Sequence, residues 1–461
     1  MERTHVLETK DLAGKEVNLF GWVATRRDHG KIIFIDLRDR SGIVQIVFTP
    51  SSKDYTIASE LRSEWVLRIK GQVKARPDKM VNAEIETGKV EIEPEEMEVL
   101  NKSETPPFPL DTDGKEIGEE IRLKYRYLDL RRDRLQKNMR IRSDFIDRAR
   151  QFLFKKGFLE IETPYLSAPT PEGSRDFIIP ARLHPGKFFA LPQSPQQYKQ
   201  LLMVAGFEKY FQIARCFRDE DLRADRGFEH TQVDLEMSFV EQKDVMAIDE
   251  EMITTVVESM GYTIKQKPFP VFTYKEVMDK FGADKFDLRN EEDKKNGVLA
   301  YAWVVDFPFF EKDSDGKWTF THNPFSMAKP EHVDWLLKGE HVGEIITTQY
   351  DMVCNGYEVG GGSIRAHRPE MLKAVFHIMG YSEEEIKHQF GHMIEALGFG
   401  APPHGGIAHG IERNLMTLFG EDYLREVQAF PQTSSGSTSV MEAPDAVSPK
   451  QLKELHLKIE K

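Results

Sequence analysis

Residues 211–239 constrain the fold more than any other part of the chain, because they set a long charged loop between two strand-like runs. Apolar and polar residues alternate along residues 232–238, which predicts a strand with one apolar and one polar face. The loop, residues 219–230, is dense in acidic and basic residues, and a hairpin loop of that length is usually functional or disordered. We therefore interpret the stretch as the floor of a nucleotide site. A solvent-facing polar sheet face without a function is the alternative.

The sequence FRDEDLRADR, followed by TQVD, resembles the second signature motif of class II aminoacyl-tRNA synthetases, in the form of the bacterial aspartyl group. The resemblance extends in order along nearly the whole chain, with a first motif before residue 164 and a third, GIER, at residues 410–413. It implies an α+β protein, in which an N-terminal OB-type β-barrel precedes a class II catalytic domain with an antiparallel sheet flanked by helices. It also implies a ligase that forms aspartyl-adenylate from L-aspartate and ATP with Mg²⁺, and transfers the aspartyl group to tRNA-Asp.

The composition of the chain indicates its cellular compartment and the kinds of partner that it can have. With 461 residues the chain is too long for one ordinary core, which predicts two or three domains. No run approaches the ~18 apolar residues of a membrane span, and the charged N-terminus lacks the apolar centre of a signal peptide. The two cysteines are isolated and show neither metal-binding spacing nor a disulfide framework. These observations predict a cytoplasmic protein without a membrane partner.

Short strands separated by glycines predict an OB-type barrel in residues 1–102, and the resemblance implies that this domain binds the tRNA anticodon. Residues 1–79 carry 15 Lys+Arg against 11 Asp+Glu. The net charge of +4 suits a polyanionic partner or reflects ordinary scatter. Prolines at positions 106, 107 and 109 exclude a helix or a central strand there, so we place a hinge at residues 103–125.

The second domain is predicted to occupy residues 126–461. A helical pattern runs through residues 115–157, and its many basic residues are either a solvated face or a contact with the tRNA backbone. The resemblance implies that a large domain, inserted near residues 285–300 in bacterial relatives, is essentially absent, because only residues 291–300 lie between its two matching edges. It also implies a homodimer, which composition alone does not indicate.

A face of the barrel that is rich in Arg and amide side chains is predicted to contact the anticodon. An exposed aromatic ring can stack on a base while amides bind the edge of that base, although a lone Phe on a strand more often belongs to the core. The resemblance implies that Phe34 and Gln45 contact the middle anticodon base, and it favours the functional interpretation. The predicted anticodon residues are Arg26, Arg27, His29, Phe34, Gln45 and Lys79.

One end of the catalytic site is predicted to bind aspartate. Ser194 and Pro195 have the pattern of a helix start, with Ser at the N-cap and Pro in the first position. Gln196 and Lys199 would then share a face near the positive end of that helix, although most helix lysines only face water. The resemblance implies the aspartate-binding residues Glu172, Ser194, Gln196, Lys199, Arg218, Asp234, His322 and Arg365.

The charged loop and the third motif are predicted to bind ATP. Arg218 and Arg413 are the predicted catalytic residues, because a guanidinium forms paired charge-assisted bonds to phosphate and carboxylate. His230 stands where the family has a phenylalanine that stacks on adenine, which predicts weaker binding of ATP. The resemblance implies the ATP-binding residues Arg218, Asp219, Glu220, His230, Gln232, Glu358, Gly410, Ile411, Glu412 and Arg413.

A metal site is predicted in the hairpin around Asn355 and Gly356, a strong signal for a two-residue turn. In that register Val353 faces Glu358, and Asp351 becomes a diagonal neighbour of Glu358 on the same face. Two carboxylates at this spacing can share a Mg²⁺ ion that bridges ATP phosphates, or they can be two solvated acids. The resemblance favours the metal ligands.

Two alternatives remain at this stage. A relaxed synthetase would also aspartylate tRNA-Asn; His29 matches such enzymes, whereas Lys79 stands where they tend to have glycine. A paralogue that binds tRNA without charging it would have no reason to retain the predicted ligand set, which is intact at Arg218, Arg365 and Arg413. A catalytic protein is therefore the favoured interpretation.

Overall fold

The computed structural model describes residues 2–169 and 173–460, and the chain divides into two compact units, Met1–Gly118 and Glu119–Lys461. The division falls inside the predicted hinge, residues 103–125, so the end of that segment belongs to the second unit. Each unit has a hydrophobic core of its own.

The first unit is a closed β-barrel of the OB type with the strand order β1-β2-β3-β5-β4. Along β2 the buried Ile33, Ile35 and Leu37 point inwards, while Phe34 between them is half-buried and faces outwards. This alternation follows from the two-residue period of a strand, and it excludes Phe34 from the core. The elements are β1 Glu16–His29, β2 Ile32–Asp39, β3 Gly42–Phe48, α1 Tyr55–Ala58, β4 Val66–Ala75 and β5 Val90–Asn101.

The net charge of the whole first unit differs in sign from the net charge of residues 1–79. Strand β5 adds a run of glutamates, so that Met1–Gly118 carries 18 Lys+Arg and 22 Asp+Glu, a net charge of −4. The expectation of a basic first module is therefore wrong for the unit as a whole. Any attraction to nucleic acid must come from a local face of the barrel.

The second unit is built on a sheet with the strand order β11-β12-β15-β16-β17-β10-β9-β6. Strands β11 and β12 pair in parallel, as do β6 and β9, and the pairs between them are antiparallel. The strands are β6 Leu159–Glu160, β7 Ile178–Pro180, β8 Phe188–Ala190, β9 Lys209–Phe217, β10 Glu229–Ser238, β11 Val271–Thr273, β12 Tyr301–Val305, β13 Phe310–Lys312, β14 Trp318–Phe320, β15 Gln349–Cys354, β16 Tyr357–Ile364 and β17 His404–Gly410. Strands β7 with β8 and β13 with β14 form separate hairpins.

Helices α4, α6 and α12 pack their apolar side chains against one face of this sheet and leave the opposite face open. The helices of the second unit are α2 Glu119–Lys124, α3 Arg126–Asp129, α4 Asp133–Lys155, α5 Gln196–Val204, α6 Gln242–Ser259, α7 Tyr274–Phe281, α8 Glu291–Lys295, α9 Val333–Lys338, α10 Pro369–Ile378, α11 Glu383–Leu397, α12 Ile411–Phe419 and α13 Pro449–Glu454. No helix of residues 2–169 and 173–460 has the length and apolar character needed to cross a bilayer.

The single helix expected over residues 115–157 is wrong, because the chain breaks twice before α4. Tyr125 leaves the helical region (φ −106°, ψ 40°) and Arg132 is extended (ψ 137°). Between these breaks the buried carboxylate of Asp129 accepts hydrogen bonds from Arg122, Arg126 and Arg132 at 2.7–3.2 Å. A buried carboxylate requires such partners. Bringing the three guanidinium groups around Asp129 accounts for the two breaks in the helix, at Tyr125 and Arg132.

Candidate active site

A cleft of about 720 Å³ opens on the face of the sheet that α4, α6 and α12 leave uncovered. Successive side chains of β10 point to opposite faces of the sheet. Val233 and Leu235 enter the core, while Gln232 and Asp234 line the cleft. Of the predicted substrate residues, the cleft brings together Ser194, Gln196, Lys199, Arg218, Glu220, His230, Gln232, Asp234, His322, Asp351, Glu358, Arg365, Gly410, Glu412 and Arg413.

A buried network of charges forms one end of the cleft. The Lys199 ammonium lies 2.6 Å from Asp234 Oδ1 and 3.3 Å from Glu236 Oε2. Arg365 holds the same Glu236 carboxylate with two bonds, from Nε at 2.8 Å and from Nη2 at 3.0 Å. Burial alone would raise the pKa of Glu236, but the charges of Arg365 and Lys199 lower it to about 2. Glu236 therefore stays ionised and holds both cations in place.

Glu236 was missed by the sequence analysis, although a signal for it was present. It lies two residues beyond Asp234 on the polar side of β10, so the two-residue period already placed it beside the cleft. Glu236 occupies both arms of the Arg365 fork. Arg365, a predicted aspartate-binding residue, therefore has only Nη1 left for a substrate carboxylate, and this atom also donates to Ser363 Oγ at 2.8 Å.

Asp234 offers an acceptor to a ligand. Its Oδ1 accepts from Lys199, while Oδ2 is buried and has no hydrogen-bond partner within residues 2–169 and 173–460. Burial and the neighbouring Glu236 raise the pKa of Asp234 above its ordinary value. A cationic ligand would satisfy the free oxygen and remove the cost of burying the charge of Asp234. This agrees with the place of Asp234 among the predicted aspartate-binding residues, because aspartate carries an α-ammonium group.

Two arginines lie near the other end of the cleft. Arg413 Nη2 is 3.1 Å from Asp225 Oδ2 in the charged loop, and its Nη1 donates to the Glu358 carbonyl oxygen at 3.2 Å. Arg218 Nε donates weakly to the Gln193 carbonyl oxygen at 3.4 Å. Burial and the positive charges of Arg218 and Arg413 hold the pKa of His230 well below its usual value. His230 is therefore a neutral imidazole, a flat ring that can stack on a base.

Asp351 and Glu358 converge, and the hairpin has the predicted pairs Val353–Glu358 and Cys354–Tyr357. A Cβ atom on Gly361 would lie 3.0 Å from Asp351 Oδ1 and 3.6 Å from Glu358 Oε1. The two oxygens are thus no more than 6.6 Å apart (3.0 + 3.6). The glycine leaves this space open for a ligand.

The electrostatics of this acidic pair suit a cation. Burial and the charge of Glu358 raise the pKa of Asp351, whereas Arg413 and Lys285 overcome burial and lower the pKa of Glu358 to about 2. No group of three or more His, Cys, Asp or Glu side chains is arranged to hold a metal within residues 2–169 and 173–460. Mg²⁺ accepts one or two carboxylates when phosphates supply further oxygens, so Asp351 and Glu358 fit a metal bound together with ATP.

Several predicted residues do not face the cleft as expected. Asp219 is not among its lining residues and lies 3.6 Å from Arg175 Nε. The Ile411 side chain is fully buried in the core, because the face of α12 that packs on the sheet needs apolar residues. Glu412 reaches the cleft, but its carboxylate accepts from Arg142 at 2.9 Å and from the Thr231 backbone at 3.0 Å. Glu172 lies outside the described residues.

The predicted helix start at Ser194 is wrong by one residue. Pro195 is the N-cap and α5 begins at Gln196, whose backbone N–H is 3.3 Å from Ser194 Oγ. The shift keeps Gln196 and Lys199 three residues apart at the start of α5. Lys199 is 2% exposed, so the interpretation of a water-facing lysine is excluded.

In the barrel, the predicted anticodon residues are all exposed or half-buried, and none of them belongs to the buried core. The His29 and Phe34 rings meet edge to face with centroids 5.9 Å apart. Arg27 donates to Asp36 at 2.8 and 2.9 Å, and Arg26 is bound by Asp28 and by the carbonyl groups of residues 59 and 61.

Gln45 donates to Glu91 at 3.2 Å, and Lys79 lies exposed in the turn Asp78–Met80. The sequence analysis missed Arg76, whose buried Nε and Nη2 have no hydrogen-bond partner within the described part of the chain. Its Nε lies 3.6 Å from Glu91, beside Gln45. Free buried donors here would suit a polar base edge.

Comparison with protein families gives two matches, one in each unit. The family described as "OB-fold nucleic acid binding domain" matches residues 17–100. The family described as "tRNA synthetases class II (D, K and N)" matches residues 118–434. The second match covers most of the chain.

Curated relatives match along their full length. The chain is 39% identical to "Aspartate--tRNA(Asp/Asn) ligase" of Syntrophomonas wolfei, with 100% of both chains covered. It is 41% identical to the protein of that name in Dictyoglomus turgidum, of which 98% is covered, and 39% identical to "Aspartate--tRNA ligase" of Staphylococcus saprophyticus, also with 98% covered. The first alignment spans 586 positions, at least 125 more than this chain has residues (586 − 461). The relative therefore contains a segment that this chain lacks.

Solved structures show the same fold at lower identity. The asparaginyl-tRNA synthetase of Pyrococcus horikoshii, complexed with asparaginyl-adenylate, superposes with a TM-score of 0.74 at 24% identity and covers 94% of this chain and 98% of its own. A putative aspartyl-tRNA synthetase from Leishmania major gives 0.73 at 21% identity, with 93% and 94% covered.

Proposed function

Because this chain belongs to the class II aminoacyl-tRNA synthetases of the aspartate, lysine and asparagine group, we propose that it is an aspartate–tRNA ligase. It activates L-aspartate with ATP and transfers the aspartyl group to the 3′ end of tRNA-Asp. The observation that supports this best is the set of relatives with that name, which match at about 40% identity over the whole chain. The free buried oxygen of Asp234 supports a ligand with an ammonium group. The cations Lys199 and Arg365 at the same end of the cleft support a ligand that also carries a side-chain carboxylate.

The residues of the cleft account for the two steps. An oxygen of the aspartate α-carboxylate attacks the α-phosphorus of ATP, the bond to the bridging oxygen breaks, and pyrophosphate leaves with its electron pair. Arg218 and Arg413 neutralise the charge that builds up on the phosphates, which acts most strongly in a preorganised cleft. A ribose hydroxyl of the terminal adenosine of tRNA then attacks the aspartyl carbonyl carbon, and AMP leaves. Neither step requires a nucleophile from the protein.

Asp351 and Glu358 would hold Mg²⁺ against the phosphates of ATP. When bound, the ion neutralises phosphate charge and orients the leaving pyrophosphate. The chain itself supplies two carboxylates within 6.6 Å of each other and the open space above Gly361. Burial and the charge of Glu358 raise the pKa of Asp351, which supports a site that a bound cation would stabilise.

Relaxed specificity, with aspartylation of tRNA-Asn as well, is the second candidate. It is favoured by the names of the Syntrophomonas and Dictyoglomus relatives, which include both tRNAs, and by His29 next to Phe34 on the barrel surface. Lys79 argues for the strict form. A homodimer and an absent insertion near residues 285–300 are predicted from the family resemblance, and a cytoplasmic location is predicted from the composition and the isolated cysteines.

Exchange of labelled pyrophosphate into ATP tests the activation step without tRNA. Exchange should depend on L-aspartate and Mg²⁺, and L-asparagine at the same concentration should give little, because its neutral amide cannot pair with the cations of the cleft. Asp234→Asn should raise the aspartate concentration needed for half-maximal exchange, while Asp315→Asn, in a turn outside the cleft, should behave as wild type. Absence of any aspartate-dependent exchange would contradict the proposal.

A further inference from the structure

Strand β16 contains a β-bulge beside the cleft. Val353 faces Glu358, but the next pair along the hairpin is Met352 with Gly360. Val359 is therefore the extra residue of the bulge, and it has no partner of its own across the hairpin. Its side chain and the following Gly360 both face the helix-covered side of the sheet, because Val359 lies in the core and a Cβ on Gly360 would meet the His409 ring at 2.6 Å.

The bulge decides which residues reach the cleft. Side chains of a regular strand alternate between its faces, so Glu358 and Arg365, which are seven positions apart, would point in opposite directions. Both line the cleft, whereas Ile364 is in the core. The single extra residue at Val359 therefore brings the proposed metal ligand Glu358 and the substrate-side Arg365 to one face.

Side chains from outside β16 hold the bulge. The ladder between β16 and β17 begins at Gly360, so the Val359 carbonyl is left to other donors. It accepts from Asn414 Nδ2 at 3.0 Å and from His409 Nδ1 at 3.2 Å. A buried carbonyl without a donor is costly, and these two side chains remove that cost only in the bulged conformation.

His409 is in turn fixed by a carboxylate on α6. Its Nε2 lies 2.7 Å from Asp249 Oδ1, and both side chains are fully buried. A carbonyl oxygen can only accept, so Nδ1 carries a hydrogen. The Nε2–Oδ1 contact then contains one proton, held by either the imidazole or the carboxyl group. In both cases Asp249 selects the ring form that donates to Val359.

We propose that Asp249, His409 and Asn414 are positioning residues, which hold the bulge at Val359 and thereby set Glu358 and Arg365 in one cleft. None of the three lines the cleft, and they act through the backbone of β16. The inference rests on the proposed function, since that function gives Glu358 and Arg365 their ligands.

Binding measurements on the full chain test this inference apart from catalysis. Three variants separate the roles. His409→Phe keeps a ring but loses both hydrogen bonds, and Asp249→Leu removes the group that selects the donating form of the His409 ring. Asp249→Asn still selects that form, because the amide N–H donates to Nε2 and leaves the hydrogen on Nδ1. Titration calorimetry would give the Kd of L-aspartate, and the Kd of ATP with and without Mg²⁺. Val256→Ala, which opens a cavity at a core position of the same helix and removes none of these hydrogen bonds, is the control for lost stability.

His409→Phe and Asp249→Leu should each weaken both aspartate binding and the gain in ATP affinity from Mg²⁺ by about tenfold, the effect of losing one of the two hydrogen bonds that hold the Val359 carbonyl. Asp249→Asn should stay near wild type. Val256→Ala should melt at a lower temperature yet bind both ligands normally. If His409→Phe and Asp249→Leu bind as Val256→Ala does, the pair is only structural and the inference is wrong. If the binding pattern appears but wild type shows no aspartate-dependent exchange, the positioning holds and the proposed function fails.

Discussion

Replacing Glu236 by glutamine should destabilise the second unit strongly, although the two side chains have nearly the same shape. Glu236 is fully buried and holds Arg365 by two bonds and Lys199 at 3.3 Å. Glutamine removes the negative charge between these two buried cations. Breaking a buried pair in this way is costly, because Arg365 stays buried without its carboxylate and Lys199 keeps only Asp234.

The size of the effect follows from the pKa of Glu236. It lies at about 2 in the folded protein against an ordinary value of 4.5. At about 1.4 kcal/mol for each pKa unit, ionised Glu236 contributes about 3 kcal/mol to the free energy of unfolding at pH 7. Because the pKa is lowered on folding, this contribution is complete above pH 4.5 and is lost as the pH falls towards 2.

Calorimetric melting of wild type and Glu236→Gln between pH 7 and pH 3 is the assay. At pH 7 the variant should melt roughly 4 °C lower, and the gap should narrow as the pH falls below 4.5. Glu251→Gln removes an equal charge from an exposed pair with Lys156, and it should shift the melting temperature by no more than about 1 °C. A Glu236→Gln variant that melts with wild type at pH 7, or a gap that is the same at every pH, would refute the reasoning.

Three further predictions concern the cleft. His230→Phe should lower the ATP Michaelis constant in pyrophosphate exchange about threefold or more, because a larger apolar ring stacks better on adenine; an unchanged value would contradict the role given to His230. Asp351→Asn should raise the Mg²⁺ concentration for half-maximal exchange about tenfold or more, since it removes one of two carboxylate ligands, and an unaltered magnesium titration would exclude Asp351 as a ligand. Lys199→Met should reduce aspartate affinity and lower the melting temperature together, because Asp234 and Glu236 are left buried with one cation fewer; a variant with normal aspartate binding would remove Lys199 from the substrate site.

Local patterns were enough to predict the elements that carry the site. The alternation along β10 and the Asn355–Gly356 turn are short-range signals, and both led to the observed strands and to the register of the turn. The OB-type barrel followed from the short strands between glycines and the class II sheet followed from the family resemblance, and both are confirmed. The outward position of Phe34 was favoured by that resemblance and not by alternation alone.

The remaining features depend on contacts between distant parts of the chain. The bulge at Val359 is held by His409 and Asn414, fifty and fifty-five residues away, and no strand pattern contains that information. The break at Arg132 has a local cause instead, the buried Asp129 that gathers three arginines within seven residues of it, and a helical pattern does not show that this carboxylate is buried. Ile411 was misplaced because a motif match gives the position of a residue but not the direction of its side chain.

Charging of two separate transcripts, tRNA-Asp and tRNA-Asn, with labelled L-aspartate, ATP and Mg²⁺ tests the central claim most directly. An aspartate–tRNA ligase should form acid-precipitable aspartyl-tRNA-Asp, and equal charging of tRNA-Asn would add the relaxed specificity that the names of the relatives suggest. If neither transcript is charged, while the protein still binds tRNA, the claim of an aspartate–tRNA ligase is contradicted and the chain is a tRNA-binding protein.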